Sequence, residues 1–314
     1  MVFRIAHLSD LHLGPIPTPS LAELASKRIF GYVNWTRNRK SAMGSRLLKR
    51  LLDDIAAHEP DHIALTGDLV NIATEAEIAA AGRFLKTLAR PERLTVVPGN
   101  HDAYVPGAAA RAAVAWAPYT AAEPSSWPTV ARRGQVVLIG VSTAVATPPL
   151  FASGRVGAAQ RTRLAAALDR HDDAYKVVLI HHPPDTALSS GRRGLDDVRA
   201  VRETLAAGCA DLVLHGHTHE PSLRTLKTAR GRATILGVPS ASSDGIKHAP
   251  AAWAMIDIDA GRRTVKVVRR GPLGRDGPLT DLETVTIDAL APHPVRRGSA
   301  APSSPAARRG RAGR

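Results

Sequence analysis

Five short polar clusters hold most of the residues in this 314-residue chain that could act together chemically. They are Ser9-Asp10-Leu11-His12, Gly67-Asp68-Leu69-Val70-Asn71, Pro98-Gly99-Asn100-His101-Asp102, His181-His182-Pro183-Pro184 and His215-Gly216-His217-Thr218-His219. Carboxylates, imidazoles and one carboxamide are oxygen and nitrogen donors suited to divalent metals, and cysteine is absent from the set. Asp10-x-His12 and His217-x-His219 would put two donors on one side of an extended backbone, with Leu11 and Thr218 turned away. Glycine before Asp68, Asn100 and His217 lets the backbone turn sharply and approach the site with no side chain in the way. Two divalent ions roughly 3.5–4 Å apart clamp the attacking and leaving oxygens of an in-line displacement and lower the pKa of bound water toward neutrality. Hydrolysis of a phosphorus ester, by attack of hydroxide held on the metals, is the reaction such a donor set supports.

Each cluster follows directly on a hydrophobic run. Strands are predicted at 2–8, 61–66, 93–97, 135–141, 176–181 and 210–214, alternating with helices marked by Leu47/Leu48/Leu51/Leu52/Ile55, Ile78/Ala81/Leu85/Leu88, Leu164/Leu168 and Val198/Val201/Leu205. That alternation predicts an α/β fold, and in open α/β sheets the carboxyl ends of strands border the ligand crevice, so the five clusters converge. After residue 230 only strands are legible, near 233–238, 252–258, 263–269 and 283–287, which predicts a second, more antiparallel sheet following the parallel part. Residues 270–278 carry the turn residues of a surface loop.

These five blocks, in this order, resemble the calcineurin-like metallophosphoesterases over roughly residues 3–260. The resemblance implies a four-layer α/β-β/α sandwich of two mixed sheets, with a centre holding two divalent metal ions (Mn, Fe or Zn). Asp10, His12, Asp68 and His219 would hold one metal; Asp68, Asn100, His181 and His217 would hold the other, with Asp68 bridging. By the same resemblance His101 is no ligand, and acts on the phosphate as acid or transition-state stabiliser. His182 must point opposite to His181 in a regular strand, and the resemblance favours His181 as the ligand. Asn71 stands where relatives of the protein serine/threonine phosphatase class carry Asp, which argues against that branch. The His181-His182-Pro183-Pro184 block and Gly154-Arg155-Val156-Gly157 look most like the cyclic-nucleotide and glycerophosphodiester phosphodiesterase branch, so phosphodiesters are the expected substrates. A phosphomonoester or pyrophosphate on a lipid-linked substrate is the alternative, although the lipid A pathway pyrophosphatase of this superfamily typically carries Arg where His101 stands. A nuclease and a non-catalytic scaffold are further alternatives, each disfavoured.

The remaining polar residues read as structural. His7 lies inside a strand, His215 reads as a buried group supporting the cluster beside it, and Cys209 reads as a small core residue. No Gly-x-Ser-x-Gly elbow and no phosphate-binding Gly-x-x-x-x-Gly-Lys-Ser/Thr loop is present, which excludes two other hydrolase routes. The composition, 44% hydrophobic and 22% charged, is that of a globular chain. A single cysteine and the lack of a leader-like apolar stretch at the start make the cytoplasm the expected compartment.

Charge is unevenly placed. The net value is +14, and six arginines beyond Ala291, with no acid among them, account for part of it and leave +8 elsewhere. Residues 291–314 read as a disordered tail and residues 1–290 as one domain. A second basic stretch, 24–52, holds eight Lys and Arg, no Asp or Glu, and the aromatics Phe30, Tyr32 and Trp35. It is expected to be a substrate cap or a peripheral contact with anionic membrane at its inner surface. The expected ligand is a phosphate-ester small molecule or a lipid-linked one; nucleic acid is disfavoured as a partner.

Overall fold

The computed structural model describes residues 2–39, 45–121, 123–274 and 277–288, so the tail expected at 291–314 and part of the basic stretch lie outside the described residues. In chain order the strands are β1 Phe3–Leu8, β2 His62–Leu65, β3 Leu94–Val96, β4 Thr129–Arg133, β5 Val136–Val141, β6 Tyr175–Ile180, β7 Leu212–His215, β8 Ser222–Thr228, β9 Gly231–Gly237, β10 Trp253–Asp259, β11 Thr264–Pro272 and β12 Leu279–Asp288. The α-helices are α1 Leu21–Leu24, α2 Arg28–Asn34, α3 Ser45–Ala57, α4 Glu75–Leu88, α5 Ala108–Trp116, α6 Ala158–Arg170 and α7 Val198–Ala207.

Two six-stranded mixed sheets form, in the orders β12-β11-β10-β1-β2-β3 and β4-β5-β6-β7-β9-β8. β1, β2 and β3 run parallel, as do β5, β6, β7 and β9. Strands buried on both faces need continuous apolar runs rather than alternation, which is why the sequence shows VVLIGV and YKVVLI there. Between the sheets, Ile5, Val97, Leu138, Val177, Leu212 and Ile256 pack in one apolar layer. α3, α4 and α5 cover the outer face of the first sheet through Leu51, Ile55, Leu85 and Trp116. α6 and α7 cover the second through Leu164, Leu168, Val201 and Leu205. The result is the four-layer α/β sandwich that the resemblance implied.

One expectation about the sheets is corrected. The strands after residue 230 do not build a separate antiparallel sheet: β9 joins the second sheet parallel to β7, while β10 pairs antiparallel with β1, Phe3↔Ile258 through His7↔Ala254, and starts a meander through β11 and β12. β1 is apolar on both faces, and leaving one of its edges unpaired would strand a row of buried backbone groups. The returning chain satisfies them. The loop expected at 270–278 is also shorter, because β11 continues to Pro272.

Candidate metal centre

Every cluster lies just past the carboxyl end of a parallel strand, and hydrogen bonds between the connecting loops fix their mutual approach. Asp10 N–H donates to the Gly67 carbonyl and His12 N–H to the Asp68 carbonyl, both at 2.9 Å, which joins the first two clusters edge to edge. Ser240 Oγ donates to the Asp10 carbonyl at 2.7 Å. The glycines act as expected, since a Cβ on Gly67 would lie 2.6 Å from the Gly99 nitrogen and from His181 Nδ1. A Cβ on Gly99 would collide with the Asp68 carboxylate, and one on Gly216 with Ser9 and Asp10.

The backbone at the donors departs from the extended form expected of them. Asp10, His12, Asp68, His217 and His219 all have positive φ, between 43° and 68°. Side chains other than glycine reach this left-handed region at a cost, and such residues gather where surrounding structure enforces a functional geometry. Asp10 and His12 therefore reach one site through two left-handed turns rather than through strand alternation.

The donor atoms converge in two groups. His219 Nε2 lies 3.2 Å from Asp10 Oδ1 and 3.4 Å from His12 Nε2. On the other side, Asn100 Oδ1 is 3.2 Å from His181 Nε2 and 2.9 Å from His217 Nδ1. Asp68 Oδ2 sits between the groups, 3.4 Å from His181 Nε2 and 4.0 Å from His12 Nε2. The other carboxylate oxygens are already occupied: Asp10 Oδ2 accepts from His217 N–H at 3.0 Å and Asp68 Oδ1 from His101 N–H at 2.7 Å. Each carboxylate thus presents its remaining oxygen to the middle.

Three imidazoles are oriented by backbone carbonyls. His181 Nδ1 is 2.6 Å from the Thr66 carbonyl, His12 Nδ1 3.3 Å from that of Val70, and His217 Nε2 2.7 Å from that of Arg193. A carbonyl can only accept, so a proton sits on that nitrogen, and the other ring nitrogen points inward, where the neutral ring presents a lone pair. His12 and His219 present nitrogens to each other at 3.4 Å, an arrangement suited to a cation shared between them. Two buried carboxylates, inward lone pairs and no lysine or arginine among these donors form a set that fits divalent metal ions.

The electrostatics of the donors agree. Burial pushes Asp10 up, but His219 and His181 outweigh it and hold the carboxyl well below its ordinary range. Burial likewise opposes Asp68, which His181 and His101 hold well below that range. His181 is raised to about 9: burial lowers it, and Asp68 and Asp10 more than reverse this. His217 falls well below its usual value through burial and the neighbouring His182 and His181.

His101 stands beside the donors as expected, its ring centroid 4.8 Å from that of His12 and stacked 5.6 Å from Tyr104. Its Nδ1 bonds to the carbonyl of Asn71. The orienting acceptor that a carboxylate at 71 would supply thus comes from the backbone, and Glu77 holds that backbone by accepting from Asn71 N–H at 2.8 Å. His182 packs against the donors, its ring centroid 4.3 Å from that of His217, but both its nitrogens are engaged elsewhere: Nδ1 meets Thr143 Oγ1 at 2.7 Å and Nε2 the Ala152 carbonyl at 3.0 Å. Gly154 lies against that ring with no room for a Cβ. His7 packs on Thr66 Oγ1 at 2.9 Å, and His215 is buried between Gly216 and Ser222.

Two residues went unassigned in the sequence. Asp102, fully buried, accepts from the N–H groups of Gly99, Asp68, Leu69 and Val70 at 2.8–3.1 Å, tying the Asp68 loop to the Asn100 loop. Burial and the Asp68 charge push it up to about 7. Its signal was a second acid in a glycine-led polar turn, two residues after the donor Asn100. His248 packs edge-on against His219 at 5.1 Å, and only the long-range fold brings it there.

A family model described as calcineurin-like phosphoesterase matches residues 3–221. No curated protein matches the chain. Among solved structures, a purple acid phosphatase from yellow lupin (Lupinus luteus) is 13% identical with a TM-score of 0.60, covering 92% of this chain and 54% of its own. This chain thus spans about half of that protein's length. A dimetal phosphatase from Danio rerio is 14% identical with a TM-score of 0.60 over 91% of this chain and 99% of its own. At these identities the likeness is one of fold.

Proposed function

The chain belongs to the calcineurin-like phosphoesterase family, and from that premise we propose that it hydrolyses phosphodiesters with the help of two divalent metal ions. Asp10, His12, Asp68 and His219 would hold one ion, and Asp68, Asn100, His181 and His217 the other. The observation that carries this reading is Asp68 Oδ2, placed between two donor groups whose rings are turned inward by backbone carbonyls. When bound, such ions supply a nucleophile at neutral pH and neutralise charge on the phosphoryl oxygens.

The chain's own residues do the rest. Asp10 and Asp68 spend one oxygen each on the N–H groups of His217 and His101, so the loops that carry the donors cannot drift apart without breaking the site. His101 donates from Nδ1 to the Asn71 carbonyl, and in its doubly protonated form its Nε2–H would supply the proton to the departing alkoxide, the ring becoming neutral. The diester reading is what the likeness of the His181-His182-Pro183-Pro184 and Gly154–Gly157 blocks to the phosphodiesterase branch implies; His182 of the first is held by Thr143 and Ala152, with Gly154 of the second against its ring.

Turnover of bis-p-nitrophenyl phosphate against p-nitrophenyl phosphate by the Mn²⁺-loaded protein tests this. Faster turnover of the diester is expected, abolished by Asp68→Ala. His101→Ala should lower kcat by about 10²–10⁴-fold with bound metal unchanged. A preference for the monoester would overturn the diester reading; inactivity on both with metal bound would overturn the hydrolase reading.

A further inference from the structure

The helix beside His101, α2, is packed on its inner side and apolar on its outer one. Its inner side packs: Gly31 lies against the Tyr104 hydroxyl and Ile72, and the Arg28 guanidinium bonds to the carbonyls of Ile72 and Ala73 at 3.0 and 2.7 Å. Trp35, just past its end, is 6% exposed in a small cluster with Ile16 and Ile72. Its outer side carries Ile29, Phe30 and Val33, spaced three and four apart and exposed, Phe30 at 61%. A surface helix ordinarily turns polar residues outward.

The exposure extends to neighbouring loops. Lys27 Nζ crosses from α2 to the Thr147 carbonyl at 3.0 Å and the Phe151 carbonyl at 3.3 Å, which sets α2 beside Leu150 and Phe151. Leu150 is 82% exposed, and the Arg192 guanidinium lies over the Phe151 ring at 5.3 Å. Arg193 of the same loop supplies the carbonyl that orients His217. Across the site, Ile246 is 66% exposed two residues before His248, which packs on His219. Five of the twelve large apolar side chains exposed among the described residues therefore lie on α2 and the adjoining 150–151 loop.

Charge says what kind of surface fits. Residues 24–37, 142–158 and 186–195 hold no acid and four exposed arginines, Arg37, Arg155, Arg192 and Arg193. Exposed apolar side chains interleaved with arginine suit the boundary between acyl chains and anionic headgroups. A second copy of the chain would bring like charges together.

We propose that this rim rests on an anionic lipid surface and that the metal centre acts on phosphoesters of lipid headgroups presented from it. The substrate half rests on the phosphoester-hydrolase reading; the docking half does not.

Sedimentation with vesicles of phosphatidylcholine, with and without about a third phosphatidylglycerol, tests the docking half on the full chain. Binding to the anionic vesicles only is expected. Phe30→Ser/Leu150→Ser should weaken it about tenfold or more through lost apolar burial, and Arg192→Glu should weaken it further. Turnover of bis-p-nitrophenyl phosphate should stay within about twofold in every variant, since none touches the donors. The arginines beyond residue 291 are the same in all variants, so equal binding by wild type and variants would assign binding to them and overturn the proposal. Absence of binding would overturn it too, as would a dimer of the wild type that the paired substitution dissociates. Loss of soluble-diester activity in the wild type would instead strike the hydrolase reading. If docking stands, hydrolysis of a glycerophospholipid headgroup in those vesicles, reduced by Phe30→Ser/Leu150→Ser, is the expected result for the substrate half; no release from any headgroup would overturn that half alone.

Discussion

Single residues at this site would do two kinds of work, donating to a metal or holding a donor still. Asp102 belongs to the second kind. Its two oxygens serve four N–H groups, so Asp102→Ala strands several buried donors at about 1–3 kcal/mol each. A loss of roughly 3 kcal/mol or more in urea unfolding is expected, together with a fall of about 10–100-fold in metal affinity from the loosened loops. A variant that binds Mn²⁺ as the wild type does would show that Asp102 has no positioning role. His181 gives a pH signature. Its value of about 9 in the metal-free protein means that a proton must leave before a metal can bind. Above the unfolded value of about 6.5 the imidazolium's stabilising contribution fades as pH rises through about 9, and over that window metal binding strengthens. Apparent Mn²⁺ affinity at pH 8 should therefore exceed that at pH 6.5, by at most about tenfold per unit. Titrations at the two values check this, and a flat profile would contradict it.

At the scale of elements, strands and helices deliver the loops to one place, and glycine lets them close. Gly216 faces Ser9 and Asp10 so tightly that Gly216→Ala must move the Asp10 carboxylate, and a displacement near 1 Å can cost about 10²-fold in turnover. Turnover is expected to fall by about that factor while the circular dichroism spectrum is kept; unchanged turnover would show that the loops have slack. This crowding was partly legible. Glycine before Asp68, Asn100 and His217 pointed to close approach, and strand ends pointed to convergence. The strands with continuous apolar runs were legible, as were the helices whose leucines recur at helical spacing. α5 was not, because alanine dominates its sequence and leaves little period to read. β4 and β8 were not, because each forms an edge with side chains in solvent, Val130 and Arg132 in β4 and Leu223, Arg224, Thr225 and Lys227 in β8. The partners of β10–β12 were misread for another reason: a strand's sequence shows that its faces are apolar, not which sheet will take its edges. The carbonyls of Thr66, Val70 and Arg193 that aim the imidazoles were invisible, since every residue has a carbonyl and only the fold chooses which one faces a ring.

At the scale of the whole molecule, the two sheets stack so that one end of the sandwich gathers five loops and the helices shield the rest. No helix among the described residues is long and apolar enough to cross a membrane. Stability carries its own pH test away from the site. His62, the first residue of β2, is buried with its ring on Thr95 Oγ1 at 2.9 Å, and burial, with Arg133, lowers it to about 3. The folded protein refuses a proton that the unfolded chain accepts below about 6.5, so this residue costs stability as pH falls, by about 2 kcal/mol at pH 5. Relative to wild type, His62→Gln should gain about that much between pH 7 and pH 5 in urea unfolding; a constant difference would contradict the buried neutral ring. The central claim, that two metals bridged by Asp68 make the active form, is tested most directly by titrating Mn²⁺ into the metal-free protein while following bound metal and bis-p-nitrophenyl phosphate turnover together. Turnover that rises with occupancy and saturates as two ions per chain are bound is the expected result. Full turnover at one ion per chain, or two bound ions without turnover, would contradict it.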